Sequence, residues 1–126
     1  MESNMVGWFE IPVTDMDRAQ KFYESVFKIE ISIHNFEGIK MGWFPFSDNK
    51  PGAAGSLIQL EEWYKPSNIA GVVIYFNSED VDNELARIES AGGRVIKSKT
   101  LITKEIGYMG MFLDSEGNRI ALHSRK

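Results

Sequence analysis

Two kinds of side chain in this sequence could carry acid–base chemistry near neutral pH, namely carboxylates and histidines. The 126 residues contain two histidines, His34 and His123, and no cysteine. Glu10 and His123 are the pair of interest, because burial raises a carboxyl pKa and a histidine titrates near neutrality. If the fold brings them together, they could act as base and acid. Without cysteine, thiolate nucleophiles, thiolate metal ligands and disulfides are excluded.

Each of these residues also has a purely structural interpretation. Glu10 could form an ion pair with Arg119 or with another cation. His123 stands three residues before the last residue, and it could be a solvated strand end. His34 is expected on an exposed sheet edge. The residue types alone leave these alternatives open.

Length and charge limit the classes of protein to consider. A chain of 126 residues can bury one core, so we expect one domain over residues 1–126. The formal net charge is −4 and the basic residues form no stripe, so a nucleic-acid partner is not expected. The longest apolar stretch, near residues 69–76, is too short to span a bilayer, and residues 1–8 do not resemble a signal peptide. We therefore expect a soluble, cytoplasmic protein with no membrane partner.

The sequence contains a weak internal repeat. Sliding it by 65 positions lays residues 9–18 over residues 74–83, so that Asp15 and Asp17 coincide with Asp80 and Asp82. In both copies a strand pattern leads into an Asp-x-Asp helix start. The repeat predicts a fold built from two copies of one unit.

The first unit, about residues 5–60, has the pattern βαβββ. Alternating apolar residues predict a strand before the helix. Thr14 is the predicted helix N-cap, Asp17 lies near the positive end of the helix dipole, and apolar residues recur at helical spacing from Met16 onward. Three more strands are predicted, at residues 29–33, 41–46 and 56–60.

The second unit, about residues 69–124, repeats this order. A predicted strand precedes a helix that ends at Gly92-Gly93. The strands of this unit are predicted at residues 72–76, 94–96, 108–113 and 119–123. The charged segment 97–104 is expected to be a solvated loop or a sheet edge. In the linker, residues 61–68, Trp63 and Tyr64 are expected to pack against the protein.

Two stretches carry a resemblance to a known family. Residues 11–23 (IPVTDMDRAQKFY) and 114–120 (DSEGNRI) are similar to the signature stretches of the vicinal-oxygen-chelate superfamily, which includes glyoxalases, bleomycin-resistance proteins and extradiol dioxygenases. The resemblance implies an α+β fold in which two βαβββ modules form a curled mixed sheet around a cavity. It also implies a small-molecule ligand, often a divalent metal, and a homodimer. It does not imply one reaction.

The resemblance can be examined at each metal-ligand position. In metal-dependent members a His or Gln precedes the helix-starting Asp by seven positions, which gives Trp8 in the first module and Val73 in the second. A Glu on the last strand corresponds to Ala121. Indole offers no free lone pair, and Val and Ala carry no donor atom, so no metal cofactor is expected. The fourth position falls in residues 56–60, and its candidates there are Ile58 and Gln59.

Strand alternation places a set of polar residues on the cavity side of the implied fold. Glu10 and His123 are the candidate catalytic residues. The candidate ligand-binding residues are Trp8, Tyr75, Asn77 and Arg119. A displaced divalent metal site using Glu10 and His123 stays an alternative.

Three functions are compatible with this set. The first hypothesis is a protein that binds a small organic molecule without a metal. The second is a lyase or isomerase resembling glyoxalase I, with Glu10 as the base, and the third is a regulatory or scaffolding protein.

Overall fold

The computed structural model describes residues 3–126, which form two helices and eight strands. In chain order these are β1 (Trp8–Pro12), α1 (Met16–Phe27), β2 (Ser32–Phe36), β3 (Ile39–Trp43), β4 (Ala54–Gln59), β5 (Ile74–Asn77), α2 (Val81–Ala91), β6 (Arg94–Thr103), β7 (Gly107–Leu113) and β8 (Arg119–Ser124). No helix in this part of the chain is long and apolar enough to cross a membrane.

The strands form two four-stranded mixed sheets with the same topology. Their orders are β1-β4-β3-β2 and β5-β8-β7-β6. In each sheet the first and last strands of the module pair in parallel, and the other neighbours are antiparallel. The α+β class and the doubled βαβββ module are therefore confirmed. The strands belong to two hydrogen-bonded sheets that do not close into a barrel.

Both helices begin at an aspartate. Asp15 is the N-cap of α1 and accepts a hydrogen bond from the backbone N–H of Arg18, while Asp80 caps α2 and accepts from Asp82. The prediction of Thr14 as the first N-cap was wrong, because the backbone N–H and hydroxyl of Thr14 both donate to Glu116. The repeat itself indicated the right residue, since Asp15 coincides with Asp80.

Several strand boundaries differ from those predicted. β2 and β3 are centred on a tight turn at Glu37-Gly38, where both residues have positive φ and the Asn35 side chain accepts from the Gly38 N–H. This turn sets the register of the hairpin, so β2 begins at Ser32 instead of residue 29. β6 continues to Thr103, so most of the charged segment 97–104 belongs to an edge strand.

The two modules share one hydrophobic core. Apolar residues of both helices, such as Phe22 and Ile88, are fully buried together with Leu57 of β4 and Leu122 of β8. Tyr23 lies at the centre of an aromatic cluster, where it packs edge-on against Phe22 and Phe44 and stacks on Phe27. The helices therefore join the modules.

Glu116, in the turn before β8, fastens the second module to the start of α1. Its Oε1 accepts from the backbone N–H groups of Thr14 and Asp15 at 2.9 and 3.0 Å, and its Oε2 accepts from Arg18 Nε at 2.7 Å. The Glu116 side chain is fully buried, whereas Arg18 is half exposed. Burial alone would raise the pKa of Glu116, but the hydrogen bonds from Arg18, Thr14, Ser115 and Asp15 outweigh it and lower the pKa to about 2.

Asp114 and Asn118 of the same turn bind the first module through a buried network. The hydroxyl of Tyr23 donates to Asp114 Oδ2 at 2.6 Å, and the Asn118 side chain donates to the carbonyl of Pro12 at 2.7 Å. Burial raises the pKa of Asp114, against the lowering effect of hydrogen bonds from Tyr23 and Asn118. The two signature stretches thus contact each other and hold the modules together.

Candidate functional site

Strand pairing locates the four positions at which metal-dependent relatives carry ligands. Trp8 and Val73 come from the N-terminal sides of the two modules, and Ala121 pairs with Tyr75. In the first module, the residue equivalent to Tyr75 is Glu10, and Glu10 pairs with Ser56. Ser56 is therefore equivalent to Ala121 and occupies the fourth ligand position. The prediction of Ile58 or Gln59 for this position was wrong. β4 begins at Ala54, whereas the predicted strand began at residue 56. The fourth ligand position therefore lies nearer to the start of the strand than Ile58 or Gln59.

The residues at these four positions do not fit a divalent cation. Val73 and Ala121 have no donor atom, and the indole N–H of Trp8 donates to Glu10. The remaining group is the neutral hydroxyl of Ser56, and one hydroxyl does not hold a divalent ion. Within residues 3–126, His, Asp and Glu side chains form no group of three or more that could hold a metal ion.

Glu10 is held by two neutral donors. Its Oε1 accepts from the Tyr64 hydroxyl at 2.6 Å, and its Oε2 accepts from Trp8 Nε1 at 3.2 Å. In the described part of the chain Glu10 forms no ion pair, so the ion pair with Arg119 considered above is not the arrangement found. Tyr64 packs as expected, whereas Trp63 is 79% exposed, contrary to expectation. The hydrogen bond to Glu10 raises the pKa of Tyr64.

The same face of the first sheet carries a row of aromatic rings. His34 stacks on Trp43 with 3.8 Å between ring centroids, and Phe36 and Trp8 extend the row. His34 is therefore half-buried, not simply exposed as we expected. The Nε1 of Trp43 and the Oγ of Ser56, on paired residues, are both buried without a hydrogen-bond partner among the described residues. Neither of these unsatisfied groups was anticipated from the sequence.

His123 lies apart from Glu10. Its Nε2 is 2.7 Å from the carbonyl oxygen of Ile106, and β8 continues past it to Ser124, so it is a half-buried strand residue and not a frayed end. Glu10 lines the smaller of two cavities described below, and His123 lines neither. The structure does not bring the two candidate catalytic residues into one cavity.

The larger cavity, of about 540 Å³, lies between the modules. It is bounded by β5, by the end of α1 and by the loop from Phe44 to Ala53. Tyr75 and Asn77, two of the predicted ligand-binding residues, line it, whereas Trp8 does not. Its aromatic wall consists of Phe9, Phe27, Phe44, Phe46, Tyr75 and Phe76.

The sequence indicated Phe44, Phe46 and Tyr75 as candidate pocket residues but did not predict the other half of this wall. Phe9, Phe27 and Phe76 were placed by alternation and helical spacing on the helix–sheet interfaces. They do pack there, with Phe27 and Phe76 at 4.8 Å between centroids, but they are only partly buried and also line the cavity. A signal was present in the loop, where Phe44 and Phe46 flank Pro45 beyond the end of β3.

The smaller cavity, of about 150 Å³, lies where the linker crosses β1 and β8. Its charged lining residues are Glu10, Lys65 and Arg119. Arg119 Nη2 donates to the carbonyl of Gly71 at 3.2 Å, while its Nε is buried without a partner among the described residues. Arg119 and Glu10 thus share a cavity without forming an ion pair.

Known proteins share both this sequence pattern and this fold. A glyoxylase-like domain-containing protein of Didymella fabae is 26% identical over 128 residues, which cover 95% of this chain and 93% of that protein. The crystal structure of TnmS3, an antibiotic binding protein from Streptomyces sp. CB03234, is 23% identical with a TM-score of 0.66 and covers 100% of this chain and 99% of that one. An E144Q mutant of glyoxalase I from Zea mays gives a TM-score of 0.69 at 14% identity.

These structural similarities show the fold. The match covers 94% of this chain but 46% of the maize chain, so this chain spans about half the length of that enzyme. Residues 5–122 match the family model described as Glyoxalase/Bleomycin resistance protein/Dioxygenase superfamily. The doubled βαβββ module and the family match agree, and the chain belongs to this superfamily.

Proposed function

We propose that this protein binds a flat, largely apolar organic molecule in the larger cavity, without a metal ion. The observation that carries the proposal is the cavity itself, of about 540 Å³, whose wall holds five phenylalanines and one tyrosine. Small-molecule sites are commonly clefts of roughly 300–1,000 Å³ lined by apolar and aromatic side chains with a few polar groups. The cavity has these properties.

The size of the cavity sets the size of the ligand. At roughly 30 Å³ for each water-sized group, about 540 Å³ accommodates on the order of 18 non-hydrogen atoms. This corresponds to two or three fused or linked rings. A flat ring system suits the site because aromatic side chains favour offset or edge-on contacts with other rings.

Polar groups at the rim would orient the ligand. Tyr75, which is 52% exposed, and Asn77 offer a hydroxyl and an amide on β5. Lys50, in the loop that covers the cavity, is its one charged lining residue in the part of the chain described. A ligand with an acidic or carbonyl group beside its rings would satisfy these groups.

Fluorescence titration with 1-anilinonaphthalene-8-sulfonate tests this proposal. Ala53 lines the cavity, so an Ala53→Trp variant should fill part of it and weaken binding about tenfold or more. The matched control is Ala86→Trp, on the exposed side of α2. Equal affinities for the two variants would show that the dye binds elsewhere and would refute the proposal.

The alternative function is proton transfer by a glyoxalase-like lyase or isomerase, with Glu10 as the base. It has the weaker support, because His123 lines neither cavity. Turnover of the hemithioacetal of methylglyoxal and glutathione, lost in Glu10→Gln, would favour the enzyme. Equal rates with and without protein would refute it.

We also propose that the protein is a homodimer. Large apolar side chains are exposed on the sheet faces turned away from the helices, including Trp8, Phe36 and Tyr75 at 44–52%. A second copy could cover them. Sedimentation equilibrium at micromolar concentration distinguishes a dimer from a monomer.

We further propose that the protein is cytoplasmic. Cell fractionation tests this location.

A further inference from the structure

The smaller cavity combines opposite charges that do not neutralise each other directly. Glu10 and Arg119 both line it, yet they form no ion pair. Both side chains are half-buried, so neither charge is neutralised by the other within the protein. A ligand that carries both charges could pair with both of them.

Arg119 lines this cavity and has a guanidinium donor without a partner among the described residues. Its Nη2 donates to the Gly71 carbonyl, which holds the guanidinium against the linker, and its backbone N–H donates to the Ser67 carbonyl. Its Nε–H is buried and has no partner among the described residues. A buried guanidinium donor without an acceptor costs about 1–3 kcal/mol, so an acceptor is expected there. With Lys65 on the same wall, the acceptor should be an anion.

Glu10 offers a carboxylate that could bind a cationic group in the same cavity. Its two oxygens each accept one hydrogen bond, from Tyr64 and from Trp8, and both donors are neutral. A carboxylate has about four acceptor positions, so Glu10 can still accept from a cation. The Trp8 indole and the Tyr64 hydroxyl hold the Glu10 carboxylate in one position at the cavity wall.

Volume limits the ligand further. About 150 Å³ accommodates roughly five non-hydrogen atoms at ~30 Å³ each. A molecule of this size that carries both an anionic and a cationic group is a small zwitterion.

We propose that the smaller cavity binds a small α-amino acid, whose carboxylate contacts Arg119 and Lys65 and whose ammonium contacts Glu10. This site is separate from the larger cavity and does not depend on the function proposed there. The linker, residues 61–68, lines one side of the site through Lys65 and Ser67, so that binding would also order the connection between the modules.

Thermal-shift and calorimetric titrations with glycine, L-alanine, propionate and ethylammonium test the proposal at matched ionic strength. We expect glycine and L-alanine to raise the Tm and to bind with one site per chain. Propionate and ethylammonium each satisfy one half of the site, and we expect them to bind at least tenfold more weakly. Propionate binding as tightly as L-alanine would overturn the proposal in favour of a simple anion site.

Variants identify the residues involved. Glu10→Gln and Arg119→Gln should each weaken L-alanine binding about tenfold, because each removes a charged hydrogen bond. Glu61→Gln, on an exposed position of the linker, is the matched control and should bind as wild type does. If Glu10→Gln is too unstable, Ala70→Leu fills the same cavity from an exposed loop and should abolish binding. No binding by wild type, or equal binding by all variants, would overturn the proposal.

Discussion

Replacing Glu116 by Gln should weaken the attachment of the second module to α1. The substitution keeps the shape of the side chain, but it removes the negative charge that accepts from Arg18, Thr14 and Asp15. Because the folded-state pKa is about 2 against an ordinary value of 4.5, the ionised form is stabilised by about 3 kcal/mol. Arg18 is half exposed, so solvent screening reduces the expected loss to ~2 kcal/mol.

The sign of the pH dependence follows from the lowered pKa. A carboxylate with a depressed folded-state pKa contributes stability above its unfolded pKa, and this contribution is lost as pH falls from about 4.5 towards 2. Urea unfolding of wild type and Glu116→Gln should therefore differ by ~2 kcal/mol at pH 7, by less than half of that at pH 3, and converge only as the pH falls to about 2. Glu61→Gln, at an exposed position, is the control and should change stability little. A difference that stays constant from pH 7 to pH 3 would refute this account of Glu116.

Three further substitutions test the buried hydrogen bond between the modules, the N-cap of α2 and the close packing after the end of α2. Tyr23→Phe leaves buried Asp114 without its 2.6 Å donor, so we expect a loss of about 2 kcal/mol at pH 7 in urea unfolding. Burial already raises the pKa of Asp114 and losing the donor would raise it further, so this loss should shrink as pH falls and the carboxyl is protonated. Asp80→Ala removes the N-cap of α2 and should cost about 1 kcal/mol, seen as a lower Tm; an unchanged Tm would contradict the capping role. Gly93→Ala would place a Cβ in steric conflict with the Leu113 carbonyl oxygen, so we expect loss of more than ~2 kcal/mol, and wild-type stability would show that the backbone shifts freely.

Much of the fold follows from local patterns in the sequence. Alternation at β1 and β5, helical spacing in α1 and α2, and the Gly92-Gly93 stop are signals that reside within ten to fifteen residues, and all of these elements were confirmed. The boundaries of β2 and β3 were harder to predict from the sequence. The Glu37-Gly38 turn sets the register of these strands, but it lacks the Asn-Gly pair that is typical of such turns.

The candidate site was less predictable because it depends on contacts between distant segments. Alternation placed Glu10 on the face of β1 opposite to Ile11, but its partner Tyr64 comes from the linker, whose path no periodicity indicates. The role of Glu116 was missed for a similar reason, since its contacts with Thr14 and Arg18 cross about one hundred residues of sequence. The cavity between the modules depends on how the two sheets are placed, and no local pattern encodes that placement.

Binding of a flat organic molecule in the larger cavity should need no metal ion. The decisive experiment is calorimetric titration of 1-anilinonaphthalene-8-sulfonate into protein treated with a chelator, and into the same protein supplied with nickel, zinc, iron(II) or manganese. We expect one site per chain with the same Kd in all five preparations, and weaker binding in Ala53→Trp than in Ala86→Trp. Binding that appears only when a metal is added would contradict the claim.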